Sequence, residues 1–334
     1  MPSEPQIPRI DGHLAKRIAT KKDRLDRARP LPPDVMARLQ ADTRVTFTYH
    51  SNALEGNTLS LRETQLVIED GITVGGHPLR EYLEATNHAD AYQHLSDLVR
   101  LGHPITSDTI LLLHRVTMDK ILDTPGQWRT VLVTIKGAAI TPPPPSQIAH
   151  LMQEWATWVN STGNDYSPIV RATVAHHGFE AVHPFADGNG RVGRLLLNFM
   201  LMQAGFPPAT LQREWRGEYL AALTQADHGN YRALANLIGK AVEIGLDAYL
   251  EACIEVKEDP YKPLTELAPL MGMEANYLTQ LIRKKRVHAI KRGQRWFTTL
   301  DELRRYQADA TTTHPQRRPP KDPLIPPTLI DDNA

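Results

Sequence analysis

The sequence predicts a mainly α-helical protein that ends in a small helix and hairpin domain. Three observations predict it. Through the first 253 residues, apolar residues recur at helical spacing in windows closed by Gly or Pro. In that span one stretch, Thr130-Val-Leu-Val-Thr-Ile135, is β-branched enough to read as strand. Residues 261–307 then turn basic, with ten Lys or Arg against four Asp or Glu, in a chain whose formal net charge is zero.

Length and composition bound the rest. A chain of 334 residues has room for two or three domains. Its 41% apolar and 23% charged residues are ordinary for a globular protein. A balanced charge implies no global attraction to nucleic acid or to a membrane surface. The single cysteine, Cys253, excludes an intramolecular disulfide and fits a reducing compartment. No basic and apolar leader opens the chain, and no run of 18 apolar residues occurs. The expectation is a cytoplasmic protein with no membrane partner.

Residues 1–33 read as an N-terminal arm, partly helical over 14–29. Pro30-Leu-Pro-Pro33 then opens a helix at about residue 34, which runs to about 52 and closes at Gly56-Asn57. Helices over 59–69 and 79–101 flank Gly71-Ile-Thr-Val-Gly-Gly76 and complete an N-terminal helical region, 34–105. Asn87 and His88 fit a buried polar bond between helices better than a catalytic role. A helix over 106–122 opens the next region, 106–253, and its His114 reads as structural. Residues 130–135 and 138–141 pair as a hairpin across a Lys136-Gly137 turn, and Pro142-Pro-Pro-Pro145 extends the chain after it. Further helices are predicted over 146–160, 166–179, 192–204, 216–223 and 231–253.

The densest chemistry lies at His183-Pro-Phe-Ala-Asp-Gly-Asn-Gly-Arg-Val-Gly-Arg194. Gly188-Asn189-Gly190 suits a positive-φ turn that presents backbone N–H groups as an anion nest. Good helix formers follow, so the nest sits at a helix N-terminus, where phosphate is favoured. Arg191 and Arg194 share one face of that helix and match phosphate bidentately. Asp187 can hold Mg²⁺ through one carboxylate, and His183 can take a proton from a hydroxyl at neutral pH. A zinc site of His176, His177 and His183 is rejected. Adjacent histidines on a helix point about 100° apart, and no Cys or Glu completes the set.

These twelve residues match, without departure, the signature of Fic-domain proteins, so the chain resembles that family over about residues 40–250. The resemblance implies a Fic fold, a helical bundle with a small β-hairpin flap. It also implies transfer of AMP from Mg-ATP to a Ser, Thr or Tyr hydroxyl of a target protein, and to the protein itself. By position, His183 is the general base, Asp187 the Mg²⁺ ligand and Phe185 the apolar anchor of the loop. Gly188, Asn189 and Gly190 hold the α-phosphate, and Arg191 and Arg194 the outer phosphates, with Val192 and Gly193 inside the same ATP-binding segment. Tyr219 and Asp227 fall where the family builds its adenosine pocket, although Asp227 stands in place of an expected Asn.

The pattern Ser51-x-x-x-Glu55-Gly56 resembles the family's inhibitory motif. It implies that Glu55 pairs with Arg194 in the space the γ-phosphate needs. A Glu at a helix C-terminus is unfavourable against the dipole, which also points to a specific partner. Two alternatives stay open. One is a hydrolase that removes AMP with help from Glu55. The other is a DNA-binding regulator whose Fic core senses nucleotide. Relatives of this kind often dimerise, so a homodimer is a candidate assembly.

Residues 261–307 read as helix, turn, helix, hairpin wing and helix, similar to an excisionase-like winged helix-turn-helix. That resemblance implies DNA as a partner, with Arg283 and Lys284 at the end of the second helix and Arg292 and Arg295 on the wing. Residues 308–334 hold six prolines and read as a disordered tail.

Overall fold

In the computed structural model of the chain, the described residues are 9–135, 137, 138, 140–161, 165–258 and 261–313. The chain divides into two compact units, residues 1–254 and 255–334.

Ten helices build the first unit: α1 (Gly12–Ala28), α2 (Pro33–Leu54), α3 (Leu61–Asp70), α4 (Leu79–Arg100), α5 (Ser107–Thr117), α6 (Pro145–Asn160), α7 (Pro168–Val182), α8 (Asn189–Gln203), α9 (Arg216–Asp227) and α10 (Arg232–Glu258). The predicted helices are all present, most within a few residues of their expected ends. Local chemistry explains the ends. Proline occupies the first turn of α2, α6 and α7, where its missing N–H costs nothing. Ser60 and Glu63 form a reciprocal capping box on α3.

Helix α8 is the axis of this unit. Val192, Leu195, Leu196, Leu197, Phe199, Met200 and Leu201 are all buried, so the helix is apolar around most of its circumference. It is packed by α7, α4 and α5. Every charged side chain on it is therefore either at its N-terminus or matched by a buried partner.

Three expectations are modified. The first 33 residues hold a packed helix as well as an arm: Leu14, Ile18 and Leu25 of α1 join the main core, and Lys21 bridges Glu243 and Asp247 of α10. Within the predicted hairpin the Ala138 N–H donates to the Ile135 carbonyl at 3.2 Å, and the described residues there form no strand ladder. Val131 and Leu132, which would point to opposite faces of a strand, are 56% and 76% exposed, so neither face is anchored there by burial. Lys136, expected in that turn, lies outside the described residues. Finally, α8 begins at Asn189, three residues early, so Asn189 and Gly190 are its first turn and only Gly188 is left-handed.

The second unit has α11 (Leu264–Leu270), α12 (Ala275–Arg283), α13 (Leu300–Thr313) and three short antiparallel strands. These are β1 (Tyr261–Pro263), β2 (Ile290–Arg292) and β3 (Arg295–Thr299), in the order β1-β3-β2. The predicted hairpin is β2 and β3, with Arg292 opposite Arg295. Strand β1 was not foreseen, because three residues that include a proline carry no strand pattern. A separate core of Leu264, Leu267, Leu278, Leu281, Ile282, Val287 and Leu303 holds this unit. Helix α13 extends to Thr313, so the first six residues of the expected tail are helical, and 314–334 lie outside the described residues. No helix of the described residues is long and apolar enough to cross a membrane.

Candidate active site

The loop between α7 and α8 is built by short-range chemistry. His183 closes α7 in the left-handed region (φ 50°, ψ 59°), and its N–H donates to the Phe179 carbonyl at 3.0 Å. Phe185 is fully buried and stacks on the His114 ring at 3.7 Å between centroids. Asn189 clamps the loop from inside. Its Oδ1 accepts from the Phe185 N–H at 2.9 Å, and its Nδ2 donates to the Phe185 carbonyl at 2.8 Å. Gly188 caps α8 at φ 82°, a conformation glycine adopts freely, and a Cβ there would meet the Met118 sulfur at 2.7 Å. The Asn189 amide is spent on the loop, so what it has left for an anion is its backbone N–H. At the head of α8 the N–H groups of Asn189, Gly190 and Arg191 have no hydrogen-bond partner among the described residues.

Arg129, outside the predicted set, fixes the loop from the other side. It is 4% exposed, and its guanidinium donates to the carbonyls of His183 (2.8 Å), Val131 (2.8 Å) and Pro143 (2.6 Å). It thus ties the 130–141 segment to the backbone of His183. The His183 Nδ1 lies 3.3 Å from the Glu180 carbonyl. A carbonyl can only accept, so Nδ1 carries the proton and Nε2 keeps the lone pair. Burial, with a smaller push from Arg129, holds the His183 pKa below the usual imidazole value. His183 is therefore neutral at pH 7.

Arg194 and Arg191 are 1% and 2% exposed. Such buried cations need partners, and both have them. Arg194 donates through Nε to Ser51 Oγ at 3.0 Å, and through Nη2 to the Ser51 carbonyl and to Glu55 Oε1, each at 2.8 Å. Glu55 caps the end of α2, and Gly56 follows at φ 103°. Burial raises the Glu55 carboxyl pKa, but Arg194 outweighs it, so the group stays ionised below its ordinary range. Gly190 makes the approach feasible, because a Cβ there would collide with Glu55 Oε1. Of the three predicted inhibitory residues, Ser51 and Glu55 thus meet Arg194, and Gly56 only follows them in the chain.

Arg191 lies 3.0 Å from Glu84 and 3.2 Å from Asp187. Asp187 Oδ1 also accepts from the Gly188 N–H at 2.6 Å, while its Oδ2 accepts from Arg80 at 2.5 Å. Burial opposes ionisation of Asp187, and Arg191 and Arg80 overcome it, so the carboxylate is held below its usual range. Asp187 is 38% exposed and ionised, as an oxygen ligand for a hard divalent cation must be. No group of three His, Cys, Asp or Glu among the described residues could form an all-protein cage. A one-carboxylate site is the type in which Mg²⁺ keeps phosphate and water as its other ligands.

A cavity of about 240 Å³ opens beside these groups, lined in part by Glu55, Ile135, His183, Gly190, Arg194 and Tyr219. Tyr219 is buried, and its hydroxyl lies 2.6 Å from His176 Nε2, whose Nδ1 reaches the Gly193 carbonyl at 3.1 Å. Gly193 is thus a strut of α8 and not a cleft surface, and Val192 is core. Asp227 borders the cavity and bonds His177 Nε2 at 2.9 Å. His176 and His177 hold different partners. Glu180 is largely buried in the same wall. Burial pushes its carboxyl up to about 8, and its Oε1 makes no hydrogen bond. As expected, Asn87 and His88 tie helices together, Asn87 Nδ2 to the Asp119 carbonyl at 2.7 Å and His88 Nδ1 to Thr48 at 3.1 Å.

In the second unit Arg283 ends α12 and Lys284 caps it, while Arg292 and Arg295 flank the β2–β3 turn; all four are exposed.

Sequence reasoning missed Arg80, Glu84, Arg129, His176 and Glu180. Arg129 was visible only as an arginine opening the β-branched stretch. Arg80 and Glu84 stand four apart on α4, a solvated-face pattern that gives no hint of Asp187 more than a hundred residues on.

Comparison with known proteins agrees with this geometry. Residues 104–201 match the family model described as Fic/DOC family. Protein adenylyltransferase fic-1 of Caenorhabditis briggsae is 33% identical over 254 residues, 75% of this chain and 49% of that protein. Protein adenylyltransferase Fic of Nematostella vectensis is 32% identical, over 74% of this chain and 58% of its own length. The chain therefore spans about half the length of the curated relatives it matches. Among solved structures, a fragment of Fic-1 from C. elegans superposes with a TM-score of 0.65 at 32% identity, over 74% of each chain. A Fic-domain signaling protein from Bacteroides thetaiotaomicron does so at 0.64 and 25% identity, over 72% of this chain and 98% of that one. By its motif, its fold and this shared sequence, the chain belongs to the Fic family.

Proposed function

We propose that this protein transfers AMP from Mg-ATP to a hydroxyl group of a protein and that Glu55 holds it at rest. One observation carries the reading. A single cleft is lined by a neutral His183, by Gly190 in the unpartnered first turn of α8, and by Arg194. The names of its relatives, protein adenylyltransferases, support the same reaction.

The chemistry follows from positions. A Ser, Thr or Tyr hydroxyl enters beside His183, whose Nε2 takes its proton as the oxygen attacks the α-phosphorus. The new P–O bond forms as the bond to the bridging oxygen breaks, and pyrophosphate leaves. The N–H groups of Asn189, Gly190 and Arg191 stabilise the charge that develops on the α-phosphate. Arg194 holds the outer phosphates once Glu55 has left, and Arg191 assists them. Asp187 would hold Mg²⁺, which neutralises phosphate charge when bound. The adenosine lies toward Tyr219 and Asp227. At rest, Ser51 and Glu55 occupy Arg194, so an outer phosphate finds its cation engaged.

The test uses ATP labelled at the α- or the γ-phosphate, with a lysate as the source of targets. Protein-bound label is expected from the α position only, and none with His183→Ala, which still binds nucleotide. Label from the γ position alone would mean phosphoryl transfer and sink the reading.

A second reading concerns residues 255–334 alone. We infer that this unit binds DNA, because Arg283, Lys284, Arg292 and Arg295 are exposed on a helix, turn, helix and hairpin. Duplex binding should weaken with salt, and on the Arg283→Ala/Lys284→Ala double substitution. Binding indifferent to both would exclude it.

A further inference from the structure

The two oxygens of Asp187 are unequal. Oδ1 is bound into the protein by the Gly188 N–H at 2.6 Å and Arg191 at 3.2 Å. Oδ2 accepts from one group among the described residues, Arg80 Nη2. The oxygen left for a divalent cation is therefore the one that an arginine already holds.

Arg80 is well placed to yield it. Its side chain is 52% exposed, so moving the guanidinium disturbs little packing. Its Nε is already bonded to Glu84 Oε1 at 3.0 Å, which keeps a carboxylate partner if Nη2 lets go of Asp187. Glu84 is only 10% exposed and is itself fixed, accepting from Asn57 Nδ2 at 3.0 Å. One contact is thus mobile and the other anchored.

We propose that Arg80 is an internal cation that competes with the divalent metal for Asp187 Oδ2 and withdraws onto Glu84 when the metal binds. The inference rests on the reading of Asp187 as the metal ligand given above. It makes Arg80 a positioning residue that sets how much metal the nucleotide-bound protein requires. A guanidinium and a divalent cation held on one carboxylate oxygen repel each other at close range. Removing one should therefore tighten the binding of the other.

The experiment is a Mn²⁺ titration of the full chain by electron paramagnetic resonance, with a non-hydrolysable ATP analogue at saturation. All proteins carry Glu55→Gly, so that nucleotide access does not limit binding. Arg80→Ala and Arg80→Gln are each expected to bind Mn²⁺ about fivefold tighter than the parent, the scale of a half-exposed ion pair. Arg80→Gln keeps the stem that packs on α4, and answers for Arg80→Ala should the latter fail to fold. Unchanged or weaker Mn²⁺ binding in both would overturn the inference while leaving Asp187 as ligand. Weaker binding of the analogue itself, measured without metal, would instead make Arg80 a phosphate ligand and also overturn it. If the parent binds no Mn²⁺ in the presence of the analogue, Asp187 is not a metal ligand, and both readings fall together.

Discussion

Replacing Glu55 separates charge from bulk in the resting state. Glu55→Gly removes the carboxylate and empties the space beside Gly190, whereas Glu55→Gln keeps the bulk and one acceptor but loses the charge. The contact at stake is the 2.8 Å hydrogen bond from Arg194 to Glu55 Oε1. A hydrogen bond between charged groups contributes about 1.5–3 kcal/mol. The Glu55 side chain is 39% exposed, so solvent screening argues for the lower end, about 1.5 kcal/mol. At 1.4 kcal/mol per decade, the population with Arg194 free should rise about tenfold. Initial rates of α-label transfer should therefore rise about tenfold or more in Glu55→Gly and by less in Glu55→Gln. Glycine itself is well tolerated where Glu55 caps α2, but Arg194 loses its carboxylate partner and keeps only Ser51, so stability should fall by about the 1.5 kcal/mol of the lost contact. A melting temperature measured alongside the rates controls for that. A rate that does not rise in Glu55→Gly, with the protein folded, would refute the claim that the Glu55 contact with Arg194 restrains the site.

Two further outcomes are expected. Asn189→Ala leaves the buried N–H and carbonyl of Phe185 without partners, at about 1–3 kcal/mol for each unsatisfied group. Thermal denaturation should show a drop of several degrees together with lost transfer, and an unchanged melting temperature would mean that the loop is held by Phe185 packing alone. In the proposed reaction His183 is a neutral base, and its pKa is held below 6.5, so the base form persists as the pH falls through 6.5. Transfer by Glu55→Gly should keep its rate at pH 6.5 and fall only at lower pH. A pH–rate profile with its acid limb above 6.5 would contradict the burial argument. The Glu55 carboxyl is also held below 4.5, so its ion pair with Arg194 is intact at every pH down to 4.5.

The sequence reveals most of what is local and little of what is long-range. Twelve consecutive residues carry the loop and the head of α8, because a turn and a helix start are written in neighbours. The contact from Ser51 and Glu55 to Arg194 was reachable only because a second short motif repeats a known pairing. Propensity made Glu55 merely a poor residue for a helix end. Arg80, Glu84 and Arg129 could not be found that way. Each acts on a backbone or carboxylate brought near by folding, and each looks in sequence like an ordinary surface charge. The 130–141 segment shows the opposite failure. Its β-branched run satisfies the strand pattern, but Val131 and Leu132 are exposed, and the described residues form no ladder there. The head of α8 was read as a turn because its glycines dislike helices. The apolar run behind it, buried from Leu195 to Leu201, extends the helix back to Asn189.

The restraint proposed for this site follows from the way its arginines are buried. A guanidinium at 1% or 2% exposure cannot stay unpaired when phosphate is absent, since an isolated buried charge is expensive. The protein must hold a substitute anion wherever the nucleotide would bring one. Arg191 has a fixed substitute in Glu84, whose side chain is 10% exposed and locked by Asn57 and Arg80. Arg194 has a movable one in Glu55, 39% exposed at the end of a helix. Only the second can make room for an outer phosphate without unpacking the core. Removing Glu84 should therefore weaken folding, and removing Glu55 should release activity, although both carboxylates face arginines of the same helix. In the proposed reading, the Glu55 contact is the movable half of a charge balance that the buried arginines impose.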